Sequence, residues 1–145
     1  MKGKFLVFTC IVVSSFFAGN LFAQANPDAI VGIWFNEEKD AKIKVYKENG
    51  KFYGKIVWHK TGDDISPYDE NNPDPDLQTR KKLGLVILND FVFDGGQWED
   101  GTIYDPKTGK TYSCIIKTKK DGALYVRGYI GISLIGRTTQ WTKAE

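Results

Sequence analysis

The rhythm of turn signals limits the fold more than any other feature of the chain. Asn49-Gly50 stands between two alternating runs, Ala41 to Glu48 and Lys51 to His59. A two-residue hairpin turn needs positive φ at both central residues, which Asn and Gly tolerate, so this dipeptide specifies a hairpin. Asp94-Gly95-Gly96, Asp105-Pro106-Lys107-Thr108-Gly109 and Asp121-Gly122 supply further turns in the same style. Asp100-Gly101 falls inside a longer run, where a β-bulge suits the spacing. The chain divides into eight strands, roughly 30–36, 41–48, 51–59, 84–93, 97–105, 110–119, 123–130 and 134–143. Leu124, Val126 and Ile130 share one face, with Tyr125, Arg127 and Tyr129 on the other. Phe52, Gly54, Ile56 and Trp58 share a face opposite Tyr53, Lys55 and His59. Such alternation gives each strand one buried side, and the short links make neighbours antiparallel. Eight antiparallel strands predict a closed up-and-down barrel, which leaves no exposed edge; a two-sheet sandwich is the alternative.

The N-terminus is a separate matter. Lys2 and Lys4 precede an apolar run from Phe5 to Ala18, and Ala23-Gln24-Ala25 follows. A charged start, an apolar centre and a small-residue site predict an export signal over residues 1–25 and a single domain over 26–145. The expected home is the periplasm or the exterior. The apolar run is shorter than the roughly 20 residues of a membrane span. Val7-Phe8-Thr9, ahead of Cys10, lacks the small residue of a lipidation site. Of 20 basic and 18 acidic residues, two lysines leave with the signal, so the mature domain has no net charge. Without a basic excess it is not expected to bind nucleic acid. Cys114 then stands alone, so no internal disulfide is expected, and its alternating surroundings make it a small core residue.

Residues 60–83 lack strand pattern, and a connection that long is usually functional or mobile. Part of it predicts a short helix. Asp74 is the N-cap, Pro75 the first residue and Asp76 a first-turn acid; Arg80, Lys81 and Lys82 occupy the last turn, and Gly84 ends it.

Two features at opposite ends of the chain join this picture. Gly32-Ile33-Trp34 opens the first strand, and Arg137 and Trp141 lie in the last. Together they resemble the barrel-closing signature of the lipocalin-like (calycin) superfamily, in which the arginine stacks on the first-strand indole and donates to backbone carbonyls. The middle of the chain is more specific. Asp69-Glu70-Asn71-Asn72-Pro73-Asp74-Pro75-Asp76-Leu77, Arg80 and Leu83-Gly84-Leu85-Val86-Ile87-Leu88 resemble the DUF2147 family of exported bacterial proteins. So do Gly101-Thr102-Ile103-Tyr104-Asp105-Pro106, Gly109-Lys110-Thr111-Tyr112 and Arg137-Thr138-Thr139-Gln140-Trp141-Thr142. The resemblance spans the mature chain and implies a calycin-like barrel in an exported protein, with no biochemical activity attached. Many relatives carry a further cysteine pair, absent here. Relatives often have Arg-x-Arg-Pro before the Leu-Gly motif; Gln78-Thr79-Arg80-Lys81-Lys82 in its place speaks against an arginine-specific role there.

Candidate chemistry is sparse. His59 is the only histidine, so zinc-type ligation is not expected. A triad of His59 with Ser66 and Asp63 or Asp64 lacks a nucleophile elbow. Asp69, Asn71, Asn72, Asp74 and Asp76 offer hard oxygens, but Pro73, Asp74 and Arg80 break the EF-hand pattern, and Asx turns with a helix cap account for the same residues. Asn72, Pro73, Asp74, Pro75 and Arg80 are therefore read as a loop motif. Asp63, Asp64, Asp69, Glu99, Asp100 and Asp105 could supply a catalytic pair, with no sign of which converge. The aromatic set is more suggestive. Trp58, Tyr104, Tyr112 and Tyr129, with Arg127 as a polar group, are the candidate ligand contacts of a barrel interior, and Gly32, Trp34, Arg137 and Trp141 the closure set. The sequence thus predicts a binding module for a small apolar or amphipathic ligand, with residues 60–83 as a lid, and no metal or cofactor. The rivals are a filled barrel that meets an envelope protein partner and, last, an enzyme.

Overall fold

The computed structural model describes residues 25–144; the leader predicted at residues 1–25 lies, apart from Ala25, outside them. The turns fall where Asn, Asp and Gly permit positive φ: Asn49 and Gly50 adopt φ of 49° and 78°. Between the turns run β1 (Gly32–Phe35), β2 (Ala41–Glu48), β3 (Lys51–His59), β4 (Val86–Asp94), β5 (Gln97–Asp105), β6 (Lys110–Thr118), β7 (Leu124–Tyr129) and β8 (Gly136–Lys143). Each strand pairs antiparallel with the next and β8 pairs with β1, so the sheet closes into an up-and-down barrel rather than a sandwich. The closing seam matches Trp34 with Lys143 and Phe35 with Thr142.

The register shifts in three of the strand pairs, β2–β3, β3–β4 and β5–β6, and the first and last of these bear on the expected pattern. Between β2 and β3, Ile43 faces Ile56 but Lys42 faces Trp58, so Val57 is an extra residue. Beyond a bulge the side chains exchange faces. Trp58 therefore leaves the face of Phe52, Gly54 and Ile56; it is 42% exposed and meets Phe35 edge-on at 6.3 Å. His59 takes the inner side instead, across from Ala41. The last is the bulge expected at Asp100-Gly101: the β5–β6 register shifts between Trp98 and Gly101, with Asp100 at φ 60°.

The end of the barrel that carries the β2–β3, β4–β5 and β6–β7 turns is packed shut. Phe52, Phe91, Trp98, Ile116 and Leu124 are fully buried there. A 3₁₀ turn over Pro27–Ile30 lies against it, capped by Asn26, whose side chain accepts from the Asp28 amide. This turn is why the first strand starts at Gly32 rather than residue 30. Its carbonyls take two of the indole protons of the core: Trp34 donates to Ile30 at 2.8 Å and Trp98 to Pro27 at 2.9 Å. Burying polar N–H groups is tolerable because both are bonded.

The helix expected in the 60–83 connection is a single 3₁₀ turn, Pro75–Leu77. The cap is as expected, with Asp74 accepting from the Asp76 amide at 3.0 Å. The helix goes no further because the chain turns back on itself: the Arg80 carbonyl accepts from the Asp69 amide, and Tyr68 bridges to Lys81.

Cys114 is buried inside the barrel, and burial pushes its thiol up to about 12. A thiol so placed is neither exposed nor ionised at neutral pH. In the mature chain it is expected to react with a thiol reagent only as fast as the protein unfolds. Labelling at native-state rates typical of free cysteine would contradict this placement.

Candidate functional site

The opposite end of the barrel is open. Here lie the 36–40 loop, the 60–85 connection, the 106–109 turn and the 130–135 turn, and between them opens a cavity of about 630 Å³. Its wall is aliphatic: Ile43, Ile56, Ile87, Ile103 and Val126, with Trp141 beside them. The alternation of the strands builds this wall, because Ile103 pairs with Tyr112, Cys114 with Gly128, and Val126 with Thr139 on the inner surface. Gly128 adds room, since a Cβ there would meet only ordinary contacts of 3.5 Å from Ile103 and Tyr112. Tyr112 and Thr139 are polar groups on the inner wall, and His59, Lys60, Lys82 and Arg137 are among the polar residues added at the mouth. Such a lining, apolar with a few placed polar groups, is the ordinary character of a small-molecule pocket.

Charge gathers only at the rim. Arg137 projects from the inner side of β8 and its guanidinium reaches Glu37 at 3.4 Å. Lys107 binds Glu38 and, at 2.7 Å, Asp40. Burial alone would raise the Asp40 pKa, but hydrogen bonds from Lys107 and Asn36 outweigh it and hold the carboxyl below its usual value. His59 Nδ1 lies 3.0 Å from the Lys60 carbonyl, to which it donates, and Ser66 Oγ accepts from the Tyr68 amide, so these two are engaged apart from each other.

Of the five aromatic and basic residues proposed as ligand contacts, Tyr112 lines the cavity from the inner surface; Tyr129 borders it, but alternates with Gly128 and so lies on the outer face of β7 with Arg127. Trp58 does not line it, for the bulge turns it outward. Tyr104 alternates with Ile103 on β5, so its ring lies on the outer face even though the residue borders the cavity. Arg127, opposite Thr138 on the outer face of β7 and β8, ties down the turn beyond it. It donates to the carbonyls of Ser133 (2.7 Å) and Leu134 (3.3 Å) and to Thr138 Oγ1 (2.9 Å). The closure set is rearranged as well. Because the seam pairs Trp34 with Lys143, the cation over the Trp34 indole is Lys143, whose Nζ stands 4.5 Å from the ring, while Arg137 sits at the open rim. Gly32 lies at that Lys143 contact, where a Cβ would come within 2.7 Å of Nζ. Trp141, buried, belongs to the cavity wall.

The loop motif is a clamp, not a free lid. Asp69 is completely buried and has four partners: Arg80 Nη2 at 2.8 Å, Arg80 Nε at 2.9 Å, the Tyr104 hydroxyl at 2.6 Å and Asn72 Nδ2 at 2.9 Å. Arg80 also lies over the Tyr104 ring at 5.6 Å, so the position does hold an arginine-specific role. Burial, then the bond to Asp69, raises the Tyr104 pKa, keeping the hydroxyl a donor. Asn71 donates to the Lys107 carbonyl, and its own carbonyl packs so close to Gly109 that a Cβ there would lie 1.7 Å away. Gly109, at φ 69°, is thus required twice over, for its turn and for this contact. Asn72 Oδ1 holds the Asp74 amide ahead of Pro75. Pro73 is the link between these two bonded residues. Asp69 was only one of six loose acids in the sequence; its partner Tyr104 is 35 positions away, a separation no local pattern marks. Among the described residues no group of three or more His, Cys, Asp or Glu side chains gathers as a metal site would require.

A closed eight-stranded antiparallel barrel, plugged at one end by a 3₁₀ turn and open at the other into an apolar cavity, defines a lipocalin-like protein. The chain belongs to the DUF2147 family, described as an uncharacterized protein conserved in bacteria, whose model matches residues 32–143. A solved structure from the human pathogen Helicobacter pylori, described as belonging to the lipocalin family, is similar over 79% of this chain and 82% of its own. The identity is 25% and the TM-score 0.70. No curated protein gives a significant match. No helix among the described residues is long and apolar enough to cross a membrane.

Proposed function

We propose that the protein is exported and that its barrel holds a small apolar or amphipathic molecule. The open cavity of about 630 Å³ carries this reading. An interior of that size walled by five aliphatic side chains would be poorly hydrated and would lose less by holding an apolar body than by holding water. The open space beside Gly128, Val126 and Thr139 favours this reading over the rival of a filled barrel. The likeness to a lipocalin-family structure supports the same view. The rim pair of Arg137 and Glu37 offers one group of each sign to the polar end of an amphipath, so the ligand class is set by its apolar part.

Native mass spectrometry on the mature chain, purified without denaturation from the compartment it is exported to, tests this directly. A reproducible extra mass that disappears on denaturation is expected. Occupancy is tested separately with anilinonaphthalene sulfonate, an amphipathic fluorescent dye. Gly128→Leu fills the cavity from a position whose Cβ meets no clash, so it is expected to weaken dye binding about tenfold, the scale of one lost apolar contact set. Stability should change little. Equal binding by the parent and by Gly128→Leu would place the dye elsewhere and remove the cavity from the argument.

A further inference from the structure

The turn from β7 to β8 is unlike the other turns of the barrel. Its tip reads Ile130-Gly131-Ile132-Ser133-Leu134-Ile135, and the four aliphatic side chains are 69%, 58%, 84% and 67% exposed. Isolated exposed aliphatics are ordinary, but four on one six-residue tip form a patch that water does not favour. The tip is not a floppy excursion. Arg127 fixes it through the carbonyls of Ser133 and Leu134, and the Ile130 and Ile132 backbones are bonded to Ile135. It also stands at the rim of the cavity, which Ile130 and Ile135 help to line.

Charge indicates what covers it. From residue 124 to 141 the hairpin holds Arg127 and Arg137 and no acidic residue, and the acids of the neighbouring 36–40 loop are engaged by Arg137 and Lys107. Arg127 bonds only to carbonyls and a hydroxyl there, so its positive charge stays uncompensated at the base of the tip. We infer that this hairpin docks the open end of the barrel on an anionic lipid surface, with Ile130, Ile132, Leu134 and Ile135 among the acyl chains and Arg127 at the level of the headgroups. A bilayer accepts a narrow protruding tip as it stands. A protein partner would need a fitted pocket and about 800 Å² of complementary surface on each side. Docked so, the cavity mouth faces the membrane, and an apolar ligand could pass between them without crossing bulk water. Docking itself does not depend on the cavity being a ligand site.

Flotation of the mature chain with phosphatidylcholine vesicles, with and without about one-third phosphatidylglycerol, tests the inference. The parent is expected to float with the anionic vesicles, less with the neutral ones, and less at high salt. The double variant Ile132→Ser, Leu134→Ser removes two side chains that touch water in the free protein, so its melting temperature should match the parent's. Its vesicle affinity should fall about thirtyfold. No flotation of the parent, or equal flotation of the double variant, overturns the proposal. A concentration-dependent dimer that the double variant abolishes, without vesicle binding, would assign the tip to a second copy instead. Gly128→Leu separates this from the cavity reading: it should float like the parent while losing the dye, and the tip variant should keep the dye.

Discussion

Asp69→Ala is expected to lower the melting temperature of the mature protein by about 10 °C. Asp69 is fully buried and accepts from Arg80 twice, from Tyr104 and from Asn72. Removing the carboxylate leaves a guanidinium, a hydroxyl and an amide without their acceptor, and breaking such a buried pair from one side costs about 3–5 kcal/mol. Arg80 is 35% exposed and can recover part of that from water, which puts the expected loss near the lower figure, about 3 kcal/mol. Tyr104→Phe removes one hydrogen bond and keeps the ring under Arg80, so it should cost only about 1 kcal/mol. The order of the two variants in a thermal melt is the check. If Asp69→Ala melts within about 2 °C of the parent, the loop is not held by this network. The clamp also bears on the site. Ile65 and Lys82, on either side of the clamped segment, line the cavity. Dye affinity should therefore fall with Asp69→Ala in protein that is still folded, because the loop that carries them is released.

The sequence is most legible where a residue type answers a local backbone need. Asn49-Gly50, Asp94-Gly95-Gly96 and Asp121-Gly122 locate their turns because few other residues accept positive φ there. The alternating runs between them then give strand identity, antiparallel order and the closed barrel. Legibility stops at bulges and at distance. Phe52, Gly54, Ile56 and Trp58 alternate without fault, yet the extra residue at Val57 sends Trp58 outward and His59 inward, and Val57 carries no mark of it. The stagger of the seam is equally silent. Arg137 and Lys143 are both cations on the inner side of β8, and only the pairing of Trp34 with Lys143 decides which one covers the indole. The candidate site suffered more than the fold for this reason. The choice of Tyr104 and Arg127 followed residue type, large polar aromatics and a cation, whereas the cavity wall consists of isoleucines and a valine whose inward facing was already implied by Val126 and Leu124. The helix in the long connection failed differently. Its cap and proline were read correctly, but the basic residues assigned to its last turn are not available, since Arg80 is drawn to Asp69.

Trp98→Ala should cost about 4 kcal/mol, the largest loss expected of any single change considered for this chain, because a buried indole leaves both a void and an unmade bond. Trp98 is fully buried, meets Phe52 edge-on at 6.4 Å and Phe93 at 5.0 Å, and donates to the Pro27 carbonyl. It thereby joins the floor of the barrel to the 3₁₀ turn that covers it. Trp98→Phe keeps most of the packing and loses the donor, leaving the Pro27 carbonyl to water at the turn's edge, so about half the cost is expected. Urea denaturation with a shared slope for the three proteins would measure the series. The informative comparison is with binding. Trp98 and its ring neighbours belong to the closed end and do not line the cavity, whose wall begins at Ile43, Ile56 and Val126. Trp98→Ala that remains folded at low temperature should therefore bind the dye with the parent's affinity, while Gly128→Leu should do the reverse, stable but weakly binding. The two ends of one sheet would then carry separate duties, stability in the aromatic floor and recognition in the aliphatic mouth. If dye binding instead falls in step with stability in Trp98→Ala, the floor and mouth act as one packed unit, and the cavity depends for its shape on the indole at the far end.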